Sequence, residues 1–229
     1  MLADLKSELF IKRAAIVGSK SMSDAATITE ELRRTEALYP IPAWDEERRK
    51  KRLWVLRPIK PGGVGLEAGV FRGCFSQYIC EIAQPRKLYL FDTWRLSGET
   101  FGWGREYTCF GKLETAVARR ETELRVSLFP DVDSVIIEGF SPACADQIEE
   151  ALDWAYLDTT HQYRETLLEL EHLEQMIAPG GLILGDDWAP DPNSPHHIAY
   201  RAVHDFVGRG HWETIKAGPG HQWALRRSA

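Results

Sequence analysis

The chain has 229 residues, 44% hydrophobic and 27% charged, with a formal net charge of −6; this suits one globular domain with a small appendage. No apolar run approaches the roughly 18 residues that span a bilayer. The first twenty residues, "MLADLKSELFIKRAAIVGSK", break their apolar pieces with acids and lysines, which excludes a signal-peptide core and leads to the expectation of a cytoplasmic protein.

Residues 1–60 hold 13 Lys/Arg against 9 Asp/Glu, a net +4, which leaves −10 on the remainder. The excess centres on "DEERRKKRLW", Asp45 to Trp54. Such a run fits an anionic partner, nucleic acid or a membrane surface. It also describes a solvated helix whose early acids and late bases complement its dipole. The helix is favoured, because no stacking aromatics or second basic patch accompany the run. Neither nucleic acid nor membrane is therefore an expected partner. Cys74, Cys80, Cys109 and Cys144 include no CxxC pair, and read as buried or free thiols rather than a zinc or disulfide framework.

In chain order, "SDAATITEELRRTEALY" has the residues of a helix, with Ser23 or Asp24 able to cap it. Pro40 and Pro42 in "YPIPAW" then break it. Residues 1–57 thus read as a helical extension, a lid or an oligomerisation element of a homo-oligomer, and 58–229 as the main domain. After Pro61-Gly62-Gly63 short apolar runs alternate with helical patterns. Strands are expected at 63–70, 87–92, 134–139, 154–158 and 182–187, and helices at 74–84, 141–152, 162–178 and 197–210. "HWETIK" and "QWALRR" close the chain as two further strands. "RLSGETFGWGREYTCFG" (95–111) is a long irregular stretch, of a length that is usually functional or mobile. Phe101, Trp103 and Tyr107 within it either cover a substrate or pack on the N-terminal helices.

This alternation predicts an α/β fold, a Rossmann-like doubly wound parallel sheet covered on both faces. Ligands of such sheets sit beyond the carboxyl ends of the strands, which singles out Glu67, Asp92, Glu138, Asp158 and the adjacent pair Asp186 and Asp187. In "EAGVFRGCFS", Gly69 and Gly73 allow a tight turn and close backbone approach at a helix start. The spacing is not that of a dinucleotide fingerprint, and an acid at position 67 suits a ligand with an amino group or positive charge. Asp92 ends the second strand, where an acid can accept hydrogen bonds from both ribose hydroxyls; its plainer role is a turn cap in "FDTW".

Taken together, "GLEAGVFRG", "LYLFDTW", "IIEGFSPA", "WAYLDTTHQY", "APGGLILGDDW" and "AYRAVHDF…HQWALRR" resemble the class I S-adenosylmethionine-dependent methyltransferases, within them the group of macrocin-type O-methyltransferases and cephalosporin hydroxylase-like proteins. The resemblance covers roughly residues 60–227. It implies a seven-stranded, mostly parallel sheet whose last strand is antiparallel and lies between neighbours. It implies that Glu67, Gly69 and Gly73 line the methionine part of S-adenosylmethionine and that Asp92 holds its ribose. Thr93 and Trp94 would flank the ribose or adenine, with Phe140 and Ser141 at the adenine.

Asp158, Asp186 and Asp187 end neighbouring strands, about 4.8 Å apart in a sheet, and can converge on one hard cation: Mg²⁺, or Mn²⁺ or Ca²⁺. In metal-dependent relatives such an ion binds two substrate oxygens. The alternative is a metal-free site in which these acids cap a turn or bind the cofactor. Relatives often carry a second acid two residues after the fourth-strand Asp, and this chain has Thr160 there. The neighbouring His161 is either the general base or a helix cap and carboxylate partner. His196 and His197 follow the Pro-rich "APDPNSP" and either touch substrate or belong to a turn. The expected activity is Mg²⁺-assisted O-methylation of a small molecule with vicinal hydroxyls, such as a natural-product sugar or a catechol-like ring, with His161 and Asp158 as catalytic residues. A non-methylating cofactor-binding protein is the alternative, and a nucleic-acid methyltransferase a weaker one.

Overall fold

Successive residues of a strand face opposite sides of a sheet, and the apolar runs here use both sides. In the computed structural model, which describes residues 19–94 and 99–228, seven strands form one sheet: β1 (Val64–Ala68), β2 (Lys87–Asp92), β3 (Asp133–Glu138), β4 (Leu152–Leu157), β5 (Ile177–Gly185), β6 (Trp212–Ala217) and β7 (Trp223–Arg227). Leu88, Leu90, Trp154, Tyr156 and Leu184 face one core with Phe75 and Ile79. Tyr89, Phe91, Ala155, Leu157 and Ile183 face the other, with Leu170, Leu173, Val203 and Phe206. Burial on both sides is why these strands read as continuous apolar runs.

The strand order is β3-β2-β1-β4-β5-β7-β6. The parallel pairs run from β3 to β5, and β7 is antiparallel to both β5 and β6. The expected sheet and the interior place of the last strand are both borne out. The chain winds outward from β1 to β3, then returns to β4 on the other side of β1. That reversal opens a crevice at the carboxyl ends of β1 and β4.

Helices α3 (Cys74–Ile82) and α4 (Thr115–Ser127) cover one face; α5 (Tyr163–Met176) and α6 (His197–Val207) cover the other. Before the sheet come α1 (Ser19–Leu38) and α2 (Ala43–Arg52). Residues 1–18 of the expected extension, and 95–98 of the irregular stretch, lie outside the described residues. The helix expected at 141–152 is only a 3₁₀ turn, Pro142–Gln147, because Ile148 is extended and packs into the second core while Leu152 already begins β4. Helix α4 has no counterpart among the expected elements. Its buried face carries Thr115, Glu121, Thr122 and Arg125, so it shows no apolar stripe. No described helix is long and apolar enough to cross a membrane.

The N-terminal helices are tied to α4 by charge. Arg72, buried behind the β1 turn, holds Glu121 through two hydrogen bonds (2.8 and 2.7 Å) and donates to the Tyr39 carbonyl (2.8 Å). Arg125 donates to Glu36 (2.5 Å) and to the Arg72 carbonyl (3.0 Å). A buried arginine robbed of its carboxylate is left uncompensated. Glu121→Ala is therefore expected to cost about 3–5 kcal/mol in chemical denaturation; a loss below about 1 kcal/mol, the worth of a surface pair, would contradict the account.

Candidate active site

Backbone hydrogen bonds carry the ladders one step past the strand ends and bring those ends together. Gly69 donates to Phe91 O, Gly139 to Asp92 O and Asp158 to Ala68 O, each at 2.8 Å, and Asp186 donates to Leu157 O at 3.0 Å. Gly69 turns with φ +88°, and a Cβ there would lie 1.8 Å from the Asp158 carbonyl oxygen. Only glycine lets β1 turn while the end of β4 passes so close. Gly73 caps α3 with φ +69° and packs on the backbone of Thr122 in α4, away from the crevice.

The crevice is lined by Gly69, Asp92, Thr93, Phe140 and Ser141, and on its far wall by Thr159, Thr160 and Glu169. Phe140 is exposed at its mouth, free to offer a ring face. Trp94 is not part of it: the indole is fully buried in the first core and donates to Phe71 O (2.8 Å). The Asp92 carboxylate accepts from the backbone of Val70 (2.9 Å) and Phe71 (2.7 Å) with one oxygen and from Trp94 (2.8 Å) with the other. It therefore braces the turn after β1 with both oxygens.

Glu67 lies beneath the turn, buried and hydrogen-bonded to the Ser76 hydroxyl. Burial pushes its carboxyl up to about 8; the charges of Asp158 and Asp92 add to the rise, and Ser76 opposes it.

The three aspartates beyond β4 and β5 do not share one centre. Asp158 and Asp186 converge on the guanidinium of Arg52, at the end of α2: Nη1 lies 3.3 Å from Asp158 Oδ2, and Nη2 pairs closely with Asp186 Oδ2. Arg48 Nη2 adds a contact to the same Asp186 oxygen at 3.4 Å. Asp186 Oδ1 accepts from Gln222 (2.5 Å), whose amide oxygen accepts from the Tyr156 hydroxyl (2.8 Å). Burial and then the charge of Asp158 push the Asp186 carboxyl up, and Arg52 opposes them.

Asp187 turns the other way. It pairs with His161 Nδ1, and its second oxygen lies 3.2 Å from His196 Nδ1. His161 and Asp187 both have positive φ, 58° and 67°, a backbone state that non-glycine residues hold chiefly where the surroundings enforce it. Burial acts against charge on both, yet their pairing prevails: the imidazole is raised and the carboxyl lowered from their ordinary ranges. Donor atoms of His161, Asp187 and His196 lie within 4.8 Å of one another, a nitrogen-rich set suited to a transition ion rather than Mg²⁺. The Mg²⁺ site expected from Asp158, Asp186 and Asp187 does not fit this arrangement, because a guanidinium already stands between the first two.

Two site residues were not anticipated. Glu169 of α5 is buried and accepts from the Thr159 hydroxyl (2.5 Å), on the crevice wall beside Thr160. Burial pushes it up to about 7, with Thr159 and His161 opposing. It shares a helix face with Thr166, Leu170 and Leu173, and an acid on an apolar face was the available signal. Arg52 lay within the basic run, whose only hint is that Asp45, Arg49 and Arg52 fall on one side of a helix. The aromatic stretch packs on that helix: Tyr107 bonds Asp45, and Trp44 donates to Glu106 (2.8 Å).

Residues 66–188, more than half of the chain, match the model of a methyltransferase domain. The chain belongs to that methyltransferase family. It is a class I enzyme, with S-adenosylmethionine as the methyl donor. No curated protein matches the sequence. Among solved structures, the methyltransferase is similar to an O-methyltransferase from Bacillus cereus in complex with SAH (TM-score 0.55, 15% identity, 89% of this chain and 91% of that one). It is similar also to the O-methyltransferase NovP (0.52, 16%, 80% and 79%) and to an rRNA methylase from Streptococcus thermophilus (0.52, 14%, 77% and 94%). At these identities the likeness is one of fold.

A cationic ligand docking beside Glu67 would lower the pKa of that carboxyl and expel its proton. Calorimetry of S-adenosylmethionine binding at pH 7, in buffers of different ionisation enthalpy, is expected to show release of up to about one proton, absent in Glu67→Gln. Binding without proton exchange in the unaltered chain would contradict this.

Proposed function

We propose that this methyltransferase transfers its methyl group to a hydroxyl of a small molecule, with His161 as general base and Asp187 as the group that orients it. The observation that carries the reading is the His161–Asp187 pair beside the crevice of Gly69, Asp92 and Phe140. Thr159 lines both the crevice and the hollow that holds Asp158 and His161, so a base and a cofactor site meet at one residue.

S-adenosylmethionine supplies a sulfonium-bound methyl with its leaving group already built in. Within the proposal Glu67 and Gly69 receive its methionine part, Asp92 its ribose, and Thr93, Phe140 and Ser141 its adenine end. Gly73 and Trp94, expected beside the cofactor, act one step back: Gly73 seats α3 on α4, and Trp94 supports the turn through Phe71. The contact with Asp187 assigns the His161 proton to Nδ1, which leaves Nε2 to accept the proton of the acceptor hydroxyl. His161 is about one-third exposed, within reach of an acceptor entering from solvent. Asp187 then stabilises the imidazolium, the part played by the carboxylate in other Asp–His pairs.

The acceptor class we propose is a sugar hydroxyl on a natural product or a catechol-like diol. Arg49 and Arg52 of the basic run are engaged internally by acids, which supports a small-molecule acceptor over nucleic acid. The four cysteines are free thiols, in keeping with a reducing, cytoplasmic setting.

His161→Ala is expected to lower kcat by about 10²- to 10⁴-fold with cofactor affinity unchanged in calorimetry, whereas Asp92→Ala should weaken the cofactor first. Unimpaired turnover in His161→Ala would remove the base from the mechanism. Since the pairing raises the imidazole, kcat/KM should climb with pH through a pKa above the ordinary value of about 6.5. Asp187→Asn should move that inflection to lower pH; an unmoved profile would separate Asp187 from the base.

A further inference from the structure

Helix α2 opens with Asp45 and Glu46 and ends with Arg49 to Arg52, yet it is not simply a solvated surface helix. Asp45 and Arg52 are buried. Arg49 pairs with Asp45, which in turn holds the Tyr107 hydroxyl. Arg52 passes over the end of the sheet into the space between Asp158 and Asp186, its side chain 7% exposed.

The end of this helix is fixed from outside. The Trp54 indole donates to Pro219 O (2.8 Å), with Lys216 stacked on its ring at 4.6 Å. Gly220 passes so close that a Cβ there would lie 2.9 Å from the Lys51 carbonyl oxygen. The turn between β6 and β7 therefore clamps the residues that carry the guanidinium, and the same turn leads into Gln222, which holds the far oxygen of Asp186. Both carboxylates thus meet a positioned cation, and Asp186 has donors on both oxygens.

We propose that Arg52, delivered by the N-terminal helices, is the resident cation of the Asp158–Asp186 pair and excludes Mg²⁺ and other hard divalent ions from it. A planar guanidinium offers a fork of N–H donors matched to carboxylate oxygens. Mg²⁺ demands near-octahedral oxygen ligands at about 2.0–2.1 Å and gives up its water reluctantly. To enter, it would have to expel a buried arginine and leave that charge unpaired. Arg52 is a positioning residue here. It cancels two acids beside the proposed base and places a fixed positive charge near the alkoxide that His161 would generate. Only this last role rests on the methyl-transfer reading.

The test is titration of the full chain with Mg²⁺ in a calorimeter, without S-adenosylmethionine, so that it reads Arg52 whatever the reaction proves to be. Mg²⁺ is the probe because the imidazoles of His161 and His196 bind it poorly. The unaltered chain is expected to show no saturable Mg²⁺ binding. Arg52→Gln, checked for folding by circular dichroism, should gain a site at least about tenfold tighter, lost again when Asp158→Asn is added. Saturable binding to the unaltered chain that Asp158→Asn abolishes would overturn the proposal, as would a folded Arg52→Gln that gains no site. Should Arg52→Gln not fold, the unaltered chain with and without Asp158→Asn still decides between exclusion and binding.

Discussion

The arrangement of the site depends on one ion-pair cluster, in which Arg52 bridges Asp158 and Asp186. The two acids end adjacent parallel strands, β4 and β5, so the sheet itself forces them together. Like charges this close at a buried strand end are tolerated only with a cation or several donors. The fold meets that demand from far away in sequence, with a helix that precedes the first strand and a glutamine at the edge of the last. One consequence is structural: the N-terminal helices cannot leave without stranding the acids. The other is chemical: with Asp158 and Asp186 neutralised, Asp187 is left to serve a histidine.

That division of labour makes the crevice intelligible. On its β1 and β2 side burial raises the Glu67 carboxyl, and Asp92 is committed to the backbone of the turn it braces. On its β4 and β5 side the polar groups are held by pairing, Arg52 with two carboxylates and His161 with the third. Glu169 stands between, buried and bonded to Thr159. It brings from α5 a carboxyl to the neighbourhood of Thr160.

Much of this was legible in the sequence, and the reason is local. Runs such as "KLYLFD" and "WAYLD" alternate between two buried faces, and their terminal acids mark the carboxyl edge directly. The last strand's interior position came from the family resemblance and not from its own residues. Side-chain partners were not legible, because they come from elsewhere. Nothing within "ILGDDW" tells which acid meets an arginine 134 residues upstream and which meets His161. Helix α4 escaped notice because Glu121, Thr122 and Arg125 are interspersed among the apolar residues of its buried side. The stretch 141–152 reads as a helix, but Ile148 and Leu152 are drawn into the core and the sheet. In "DEERRKKRLW", which reads as a solvated helix, Arg49 and Arg52 are engaged by acids.

The central claim is that a hydroxyl can be methylated here by a histidine base, with a guanidinium in place of a divalent ion. Its most direct measurement is methyl transfer from labelled S-adenosylmethionine to a panel of small vicinal diols, after exhaustive treatment with EDTA and again after addition of Mg²⁺. The account predicts that any diol methylated by the chelated enzyme is methylated at the same rate once Mg²⁺ is restored. Turnover that disappears on chelation and returns with Mg²⁺ would contradict it.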